Sequence, residues 1–200
     1  ELRVWSAAGF ATYWILPRLQ ALQRLLPRVA ISLLPTEQPP SFGKGEVDVE
    51  VRYGTRDEEG LINLEIVRPR ILALASKRWV AEHPEIRTPA DLPSVDLLHE
   101  RRRDDWTEWF TALGVPFRTL SGPRLGILPA VLEAVHRDQG PGLFPEPLAD
   151  EHLLRNNLVP VLADAPRLRP YVLVFHRNRA DDPVIGCFAK WLKDSLEAFR

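Results

Sequence analysis

The sequence has one cysteine, no methionine and almost no excess of either charge. Among its 200 residues the single cysteine is Cys187, so a disulfide within the chain is excluded. That cysteine usage is typical of proteins from a reducing compartment, and we therefore expect a cytoplasmic location. Because a translated chain starts with methionine, we also expect that Glu1 is a processed, trimmed or engineered start and that a further segment preceded it.

The charges nearly cancel, with 26 lysines and arginines against 27 aspartates and glutamates. A domain that binds nucleic acid through the phosphates is clearly basic, which this chain is not. The composition therefore predicts a small molecule or another protein as the partner of this chain.

Long hydrophobic runs are missing as well. No stretch approaches the roughly 18 apolar residues that a membrane span needs. Residues 1–6 resemble a strand and lack the charged and apolar regions of a secretory signal. We expect no membrane partner.

Catalytic and metal-binding motifs are also lacking. Gly43-Lys44-Gly45 does not have the spacing of a phosphate loop, and no G-x-S-x-G elbow is present. No metal-ligand spacing occurs among the five histidines, which are His83, His99, His136, His152 and His176. We predict no cofactor, no metal and no enzymatic activity.

What the sequence does contain is an alternation of strand and helix patterns. The predicted strands are Leu2–Ser6, Val29–Leu33, Val47–Val51, a long strand Leu64–Leu74 bent at Pro69, Leu143-Phe144 and Tyr171–Phe175. A turn at Ala8-Gly9 and a helix Ile15–Leu26 follow the first strand. Pro17 is awkward inside this helix and is tolerable if the regular part starts near Leu16. Later helices are Trp106–Leu113 with Asp104 or Asp105 as N-cap, Pro129–His136, and a last one for which Asp181-Asp182-Pro183 provides an N-cap and a proline in the first turn. The alternation predicts an α/β protein with a largely parallel sheet.

The order of these segments resembles the effector-binding domain of LysR-type transcriptional regulators, in the branch of glycine-cleavage activators and β-lactamase regulators. The matching stretches cover nearly the whole chain. They are Leu2-Arg3-Val4, Phe10–Leu19, the strand Gly45–Gly54 (G-E-V-D-V-E-V-R-Y-G), Thr88–Leu92, Leu97–His99, Asp105-Trp106, Tyr171–Phe175 and Phe188–Leu192.

This resemblance implies a two-lobed fold like that of type II periplasmic binding proteins, with two Rossmann-like subdomains joined by two crossover strands. Lobe one would be residues 1–72 plus 174–200, and lobe two residues 73–173. The winged helix-turn-helix domain that binds DNA in this family would be absent from this chain.

The same resemblance implies a small-molecule effector between the lobes, where strands end and helix N-termini offer N–H groups. The candidate effector-binding residues are Ser6, Ala8, Thr12, Thr36, Arg101, Gly126, Ile127, Phe144 and Phe175. At Gly126-Ile127-Leu128 relatives often carry a serine or aspartate. This chain has only backbone N–H groups there, which favours a partly apolar ligand.

Structural roles stay open for several of these residues. Ser6 and Thr12 could instead cap the first helix, and Phe175, where relatives often have tyrosine, could belong to the core. The run from Arg101 to Arg103 could be a solvated loop. Glu146 is either a solvated first-turn acid or a group that repels anions and binds amines.

The resemblance further implies a homodimer through this domain and a tetramer of the full-length regulator. The first helix of one copy would contact lobe two of the other through an exposed Trp14 or Leu25, and packing of these residues within the chain is the alternative. A solute-binding protein of a transport system remains the alternative, because it would share the fold and the ligand-driven change between lobes.

Overall fold

The computed structural model describes residues 1–100, 104–155 and 158–199 and divides the chain into two compact units. The first unit is Glu1–Pro69 with Arg169–Arg200, and the second is Arg70–Leu168. The chain therefore passes between the units twice, after Pro69 and after Leu168. The sequence-based boundaries lay slightly later, after residues 72 and 173.

The described strands are β1 Leu2–Ser6, β2 Ile31–Pro35, β3 Val49–Tyr53, β4 Leu61–Val67, β5 Ile71–Ser76, β6 Gly142–Pro145, β7 Leu158–Pro160 and β8 Tyr171–His176. The described α-helices are α1 Ala8–Phe10, α2 Leu19–Leu25, α3 Lys77–Glu82, α4 Asp104–Ala112, α5 Leu128–His136, α6 Glu146–Leu154 and α7 Pro183–Ser195. Most predicted elements are present with shifted ends, while β7 was not predicted.

The sheet of the first unit has the strand order β2-β1-β3-β8-β4. β1 lies parallel to β2 and β3, whereas β8 lies antiparallel to both β3 and β4. In the second unit β5 is antiparallel to β6 and β7. The prediction of a largely parallel sheet was therefore wrong outside β1, β2 and β3. Two consecutive parallel strands need a long crossover connection between them. The helical segment that joins β1 to β2 is such a connection.

The long strand predicted over Leu64–Leu74 is two strands in two different sheets. β4 ends at Val67 and pairs with β8, while β5 begins at Ile71 and pairs with β6. Pro69 lies between them. Proline has no N–H to donate and restricts the preceding residue, so it separates the two apolar runs instead of bending one strand.

The segment after β1 is helical from Ala8, where a turn was predicted. Its middle is a π-helix over Ala11–Ile15 followed by a 3-10 helix over Leu16–Arg18, and regular α-helix starts only at Leu19. Pro17 cannot donate a helical hydrogen bond. The neighbouring N–H groups form hydrogen bonds over separations other than the four residues of an α-helix. Leu16 donates to the carbonyl of Ala11, five residues before it, and Leu19 donates to that of Leu16, three residues before it.

Two predicted helix starts had different outcomes. Asp182 caps α7 as predicted, because its carboxylate accepts from the N–H groups of Val184 and Ile185. Helix α4 starts at Asp104, so Asp104 and Asp105 both lie inside its first turn and neither is its N-cap.

The core positions follow the apolar patterns. The face of α7 formed by Ile185, Phe188 and Leu192 is buried in the first unit, as is Leu196 just after the helix. Trp106 and Trp109 are buried in the second unit. No helix among the described residues is long and apolar enough to cross a membrane.

Candidate functional site

The first candidate segment lies where β1 ends in the first unit. Ser6 is the last residue of β1 and is only 1% exposed, and its hydroxyl donates to the carbonyl of Ala7 at 3.3 Å. The N–H of Ala7 donates to the carbonyl of Val51 on the neighbouring strand at 2.9 Å. Ser6 therefore has a structural contact, and its hydroxyl is covered.

Helix α1 has no side-chain cap from its N-cap residue, Ala7. The N–H of Ala8 donates instead to the Glu37 carboxylate, with 2.8 Å between Ala8 N and Glu37 Oε1. The capping alternative for Ser6 and Thr12 is therefore wrong. Sequence reasoning did not identify Glu37, because nothing local connects two residues 29 positions apart.

Thr36 follows β2 and lies beside this helix start. Its N–H donates to the carbonyl of Ser6 at 2.9 Å, and its hydroxyl oxygen accepts from the N–H of Gln38 at 3.1 Å. Thr12 lies further along, half-buried within the π-helical turn. The structure thus brings Ser6, Ala8 and Thr36 together, with Glu37 as an unexpected fourth member.

Phe175 lies elsewhere on the same sheet. Ser6 is level with Val51, and Val51 is level with Leu173 of β8. Phe175 is buried two residues further along β8, which corresponds to about 7 Å along the strand and away from the Ser6 end.

The aromatic residues nearer the Ser6 end are tyrosines. Tyr171 packs on Phe10 with 4.6 Å between ring centroids and on Tyr53 with 5.2 Å. The hydroxyl oxygen of Tyr53 accepts from the N–H of Arg169 at 3.2 Å. Sequence reasoning did not select Tyr53 or Tyr171, although the position of each at a strand end was a usable signal.

The second unit contains the other candidate segment, before α5. Gly126 has φ +80° and is exposed, and the N-cap residue Ile127 provides no side-chain cap. The N–H of Leu128 donates to Glu100 Oε1 at 3.2 Å. The expectation that only backbone N–H groups occur here was therefore incomplete, since a carboxylate accepts one of them.

Phe144 and Glu146 flank the end of β6. Phe144 is buried in β6 opposite Leu72. The Glu146 carboxylate forms an ion pair with Arg70, with 3.4 Å between Oε1 and Nη1, in the first turn of α6. Its negative charge is thus partly balanced within the second unit.

Arg101, the remaining candidate, lies outside the described residues. No metal-binding cluster occurs among residues 1–100, 104–155 and 158–199.

Comparison with known proteins shows which protein family the chain matches. The model of the family described as LysR substrate binding domain matches residues 1–197. A glycine cleavage system transcriptional activator homolog of Haemophilus influenzae is 27% identical over 94% of this chain and 63% of its own length. The transcriptional activator AmpR of Rhodobacter capsulatus is 23% identical over 96% of this chain and 65% of its own length. The chain thus spans slightly less than two thirds of these curated relatives.

Solved structures of similar shape include the effector domain of AmpR from Pseudomonas aeruginosa. Its TM-score is 0.84 at 24% identity, covering 98% of this chain and 96% of that one. The CrgA regulatory domain of Neisseria meningitidis has a TM-score of 0.85 at 20% identity and covers 98% of both chains. These likenesses confirm the expected α/β fold class with its two subdomains.

Proposed function

Because this chain belongs to the LysR substrate binding domain family over residues 1–197, we propose that it senses a small molecule and thereby controls a transcriptional regulator. The family match over nearly the whole chain carries this proposal. The curated relatives reported above are transcriptional activators, which favours a regulator over a transport protein and over an enzyme.

The effector contacts of the first unit are proposed at the end of β1 and at the start of the helix that follows it. Ser6, Ala8 and Thr36 come together there, and Thr12 follows in the next turn. In the second unit the proposed contacts are Gly126, Ile127 and Phe144. Phe175 and Arg101 remain candidates by resemblance alone.

The complete regulator is proposed to carry a DNA-binding domain in addition to this chain and to act in the cytoplasm. The length of the relatives supports this, because the chain spans 63% and 65% of two of them. Binding of effector would change the affinity of the complete protein for its operator. A gel-shift titration of the complete gene product on its promoter DNA, with and without effector, tests this coupling.

Thr12→Val should weaken effector binding by about 1–3 kcal/mol, because valine keeps the shape but loses the hydroxyl hydrogen bond. The measurement is isothermal titration calorimetry with an effector found by thermal-shift screening of metabolites. Thr111→Val is the matched control, since the Thr111 hydroxyl only donates to the carbonyl of Thr107 within α4. Equal affinities for the wild type and Thr12→Val would remove Thr12 from the site.

Leu25→Glu should convert the proposed homodimer into a monomer. Leu25 is 54% exposed on α2, whereas Trp14, the other residue expected there, is buried and donates to Ser195 Oγ at 3.1 Å. The expectation of an exposed Trp14 was therefore wrong. A buried charge at the centre of an interface is costly, so the dimer should dissociate. Sedimentation velocity checks this. A variant that still dimerises at the protein concentration at which the wild type is a dimer would exclude Leu25 from the interface.

A further inference from the structure

The segment that joins β2 to β3, residues 36–45, is attached to β1 at both of its ends. At its start the N–H of Thr36 donates to the carbonyl of Ser6 at 2.9 Å. At its far end the guanidinium of Arg3 donates to the carbonyl of Gly45. Because both attachments are to β1, the position of the middle of the segment depends on other contacts.

Phe42 anchors this middle part. It begins a 3-10 turn, Phe42–Lys44, and its side chain packs against Leu61, Val172 and Val174. These three side chains are buried, the first on β4 and the two valines on β8. Phe42 therefore ties the segment to strands other than the one that holds its ends.

The guanidinium of Arg56 lies over the Phe42 ring. The distance from its central carbon to the ring centroid is 5.4 Å, within the range of a cation–π interaction. Arg56 is itself fixed by Glu50, which is only 7% exposed, with 3.0 Å between Nη1 and Oε2. Its N–H and carbonyl also bond to the side-chain amide of Asn63, both at 2.8 Å. The cation over Phe42 thus has a fixed position.

Two prolines, Pro39 and Pro40, lie between Phe42 and the candidate contact Thr36. Proline fixes its own φ and restricts the residue before it. That residue is Gln38, whose N–H donates to the Thr36 hydroxyl oxygen at 3.1 Å. Accepting this bond orients the hydroxyl group, so the direction in which Thr36 can donate depends on where Gln38 lies. A displacement of Phe42 would therefore be transmitted through the prolines to Thr36.

We propose, on the basis of the proposed function, that Phe42 is a positioning residue for the effector site. It fixes the Thr36 hydroxyl, and Arg56 acts on Thr36 through Phe42. Neither Phe42 nor Arg56 needs to touch the ligand. Effector affinity should therefore depend on an aromatic ring at position 42.

The first test needs no ligand and follows amide hydrogen exchange of the whole chain by NMR. Phe42→Ala should accelerate exchange at Thr36 and Gln38 selectively, by about tenfold or more, because the segment loses its anchor. Phe42→Tyr keeps the ring and should restore the wild-type rates. Ile185→Ala is the control, since Ile185 is buried on α7 outside the cluster around Phe42. It should accelerate exchange across the first unit without selecting these two amides.

The proposal is overturned if Phe42→Ala leaves the exchange at Thr36 unchanged. It is equally overturned if Phe42→Ala and Ile185→Ala give the same uniform acceleration, because Phe42 would then contribute only to the stability of the unit.

A double-mutant cycle tests whether Arg56 acts through Phe42. Arg56→Gln alone should accelerate exchange at Thr36 by about two- to fivefold, the effect of losing one cation–π interaction. In the Phe42→Ala background the same substitution should add nothing at Thr36, since the ring is already absent. An equal acceleration in both backgrounds would contradict the role given to Arg56.

The last test measures binding by calorimetry, with the metabolite that gives the largest thermal shift of the wild type as the probe. Phe42→Ala should lower the affinity by about tenfold, the effect of one misdirected hydrogen bond, and Phe42→Tyr should restore it. If no metabolite binds the wild type, the sensor function fails, while the exchange data still decide whether Phe42 positions Thr36. If the metabolite binds the wild type and Phe42→Ala equally well, the sensor function stands and the role of Phe42 in the effector site is overturned.

Discussion

Gly122→Ala is expected to destabilise the second unit by about 4 kcal/mol or more, because the added methyl group would overlap the backbone of a neighbouring segment. A Cβ at this position would lie 2.0 Å from the carbonyl oxygen of Leu97 and 2.7 Å from its nitrogen. Gly122 also has φ +117°, a conformation that residues with a side chain rarely adopt. No flexible side chain is available to move away, since the contact is with main-chain atoms.

The clash would disturb a chain of backbone hydrogen bonds. Leu97 donates to the carbonyl of Ser121 at 3.1 Å, His99 donates to that of Pro123 at 3.0 Å, and Leu125 donates to His99 at 2.9 Å. Moving Leu97 away from residue 122 would break the first of these bonds. Loss of this pairing would also disturb the segment that leads to the candidate contacts Gly126 and Ile127.

Gly114→Ala is the matched control. Gly114 also has a left-handed backbone, with φ +67°, but among the described residues no heavy atom beyond its chain neighbours lies within 4 Å of the position that an added methyl group would take. Its cost should be only about 1–2 kcal/mol from the backbone conformation. Urea denaturation gives the free energies, and amide hydrogen exchange at residues 97–99 identifies the affected segment. Equal destabilisation by the two substitutions would mean that the contact with Leu97 does not matter.

The sequence predicted best those elements whose signals are local. The continuous apolar run Tyr171–Phe175 predicted β8, which the structure has as Tyr171–His176. The Asp182-Pro183 pair predicted the start of α7, because both the cap and the proline act within one turn.

The failures involve partners that are distant in the chain. The direction of β8 relative to β3 depends on how the chain returns from the second unit, and no residue pattern within either strand encodes it. Pro17 was recognised as awkward in a helix, but the π and 3-10 turns that accommodate it depend on the packing of both flanking segments.

The candidate site shows the same difference between local signals, which the sequence reveals, and contacts between distant residues, which it does not. Ser6, Ala8 and Thr36 were selected by the family resemblance, which implies contacts where strands end, and the structure brings them together. Glu37 and Glu100 were missed, because their acceptor roles join residues 29 and 28 positions apart. A glutamate just after a strand carries no local sign that it will accept from a distant helix start.

Asp48→Asn is expected to destabilise the first unit by about 2 kcal/mol at neutral pH. Asp48 is only 4% exposed, and its carboxylate accepts from the N–H and the guanidinium of Arg3 and from Arg179 Nη1 at 2.8 Å. Burial alone would raise the pKa of Asp48, but the hydrogen bonds from Arg3 and Arg179 outweigh it and lower the pKa from 3.8 to about 2. That change in pKa corresponds to about 2 kcal/mol of stability.

The network also joins two ends of the first unit. Arg179 donates to Asp182 as well, with 2.7 Å between Nη2 and Oδ2, and Asp182 caps α7. Hydrogen bonds from Arg179 lower the pKa of Asp182 too. Asp48 therefore holds the start of β1 and, through Arg179, the start of α7. Its loss should increase hydrogen exchange in both segments.

The pH dependence gives a sharper test, because its sign is fixed by the lowered pKa. The contribution of Asp48 is fully present above pH 3.8 and is lost as the pH falls towards about 2, where the folded protein also binds the proton. The wild type should therefore lose stability in this window, and Asp48→Asn should bind about one proton fewer on unfolding there. Asp194→Asn, which removes an exposed partner of Lys190 on α7, is the control and should behave like the wild type. Urea denaturation at several pH values gives the free energy of unfolding of each protein as a function of pH. Parallel curves for the wild type and Asp48→Asn would show that Asp48 does not supply this acid-sensitive stability.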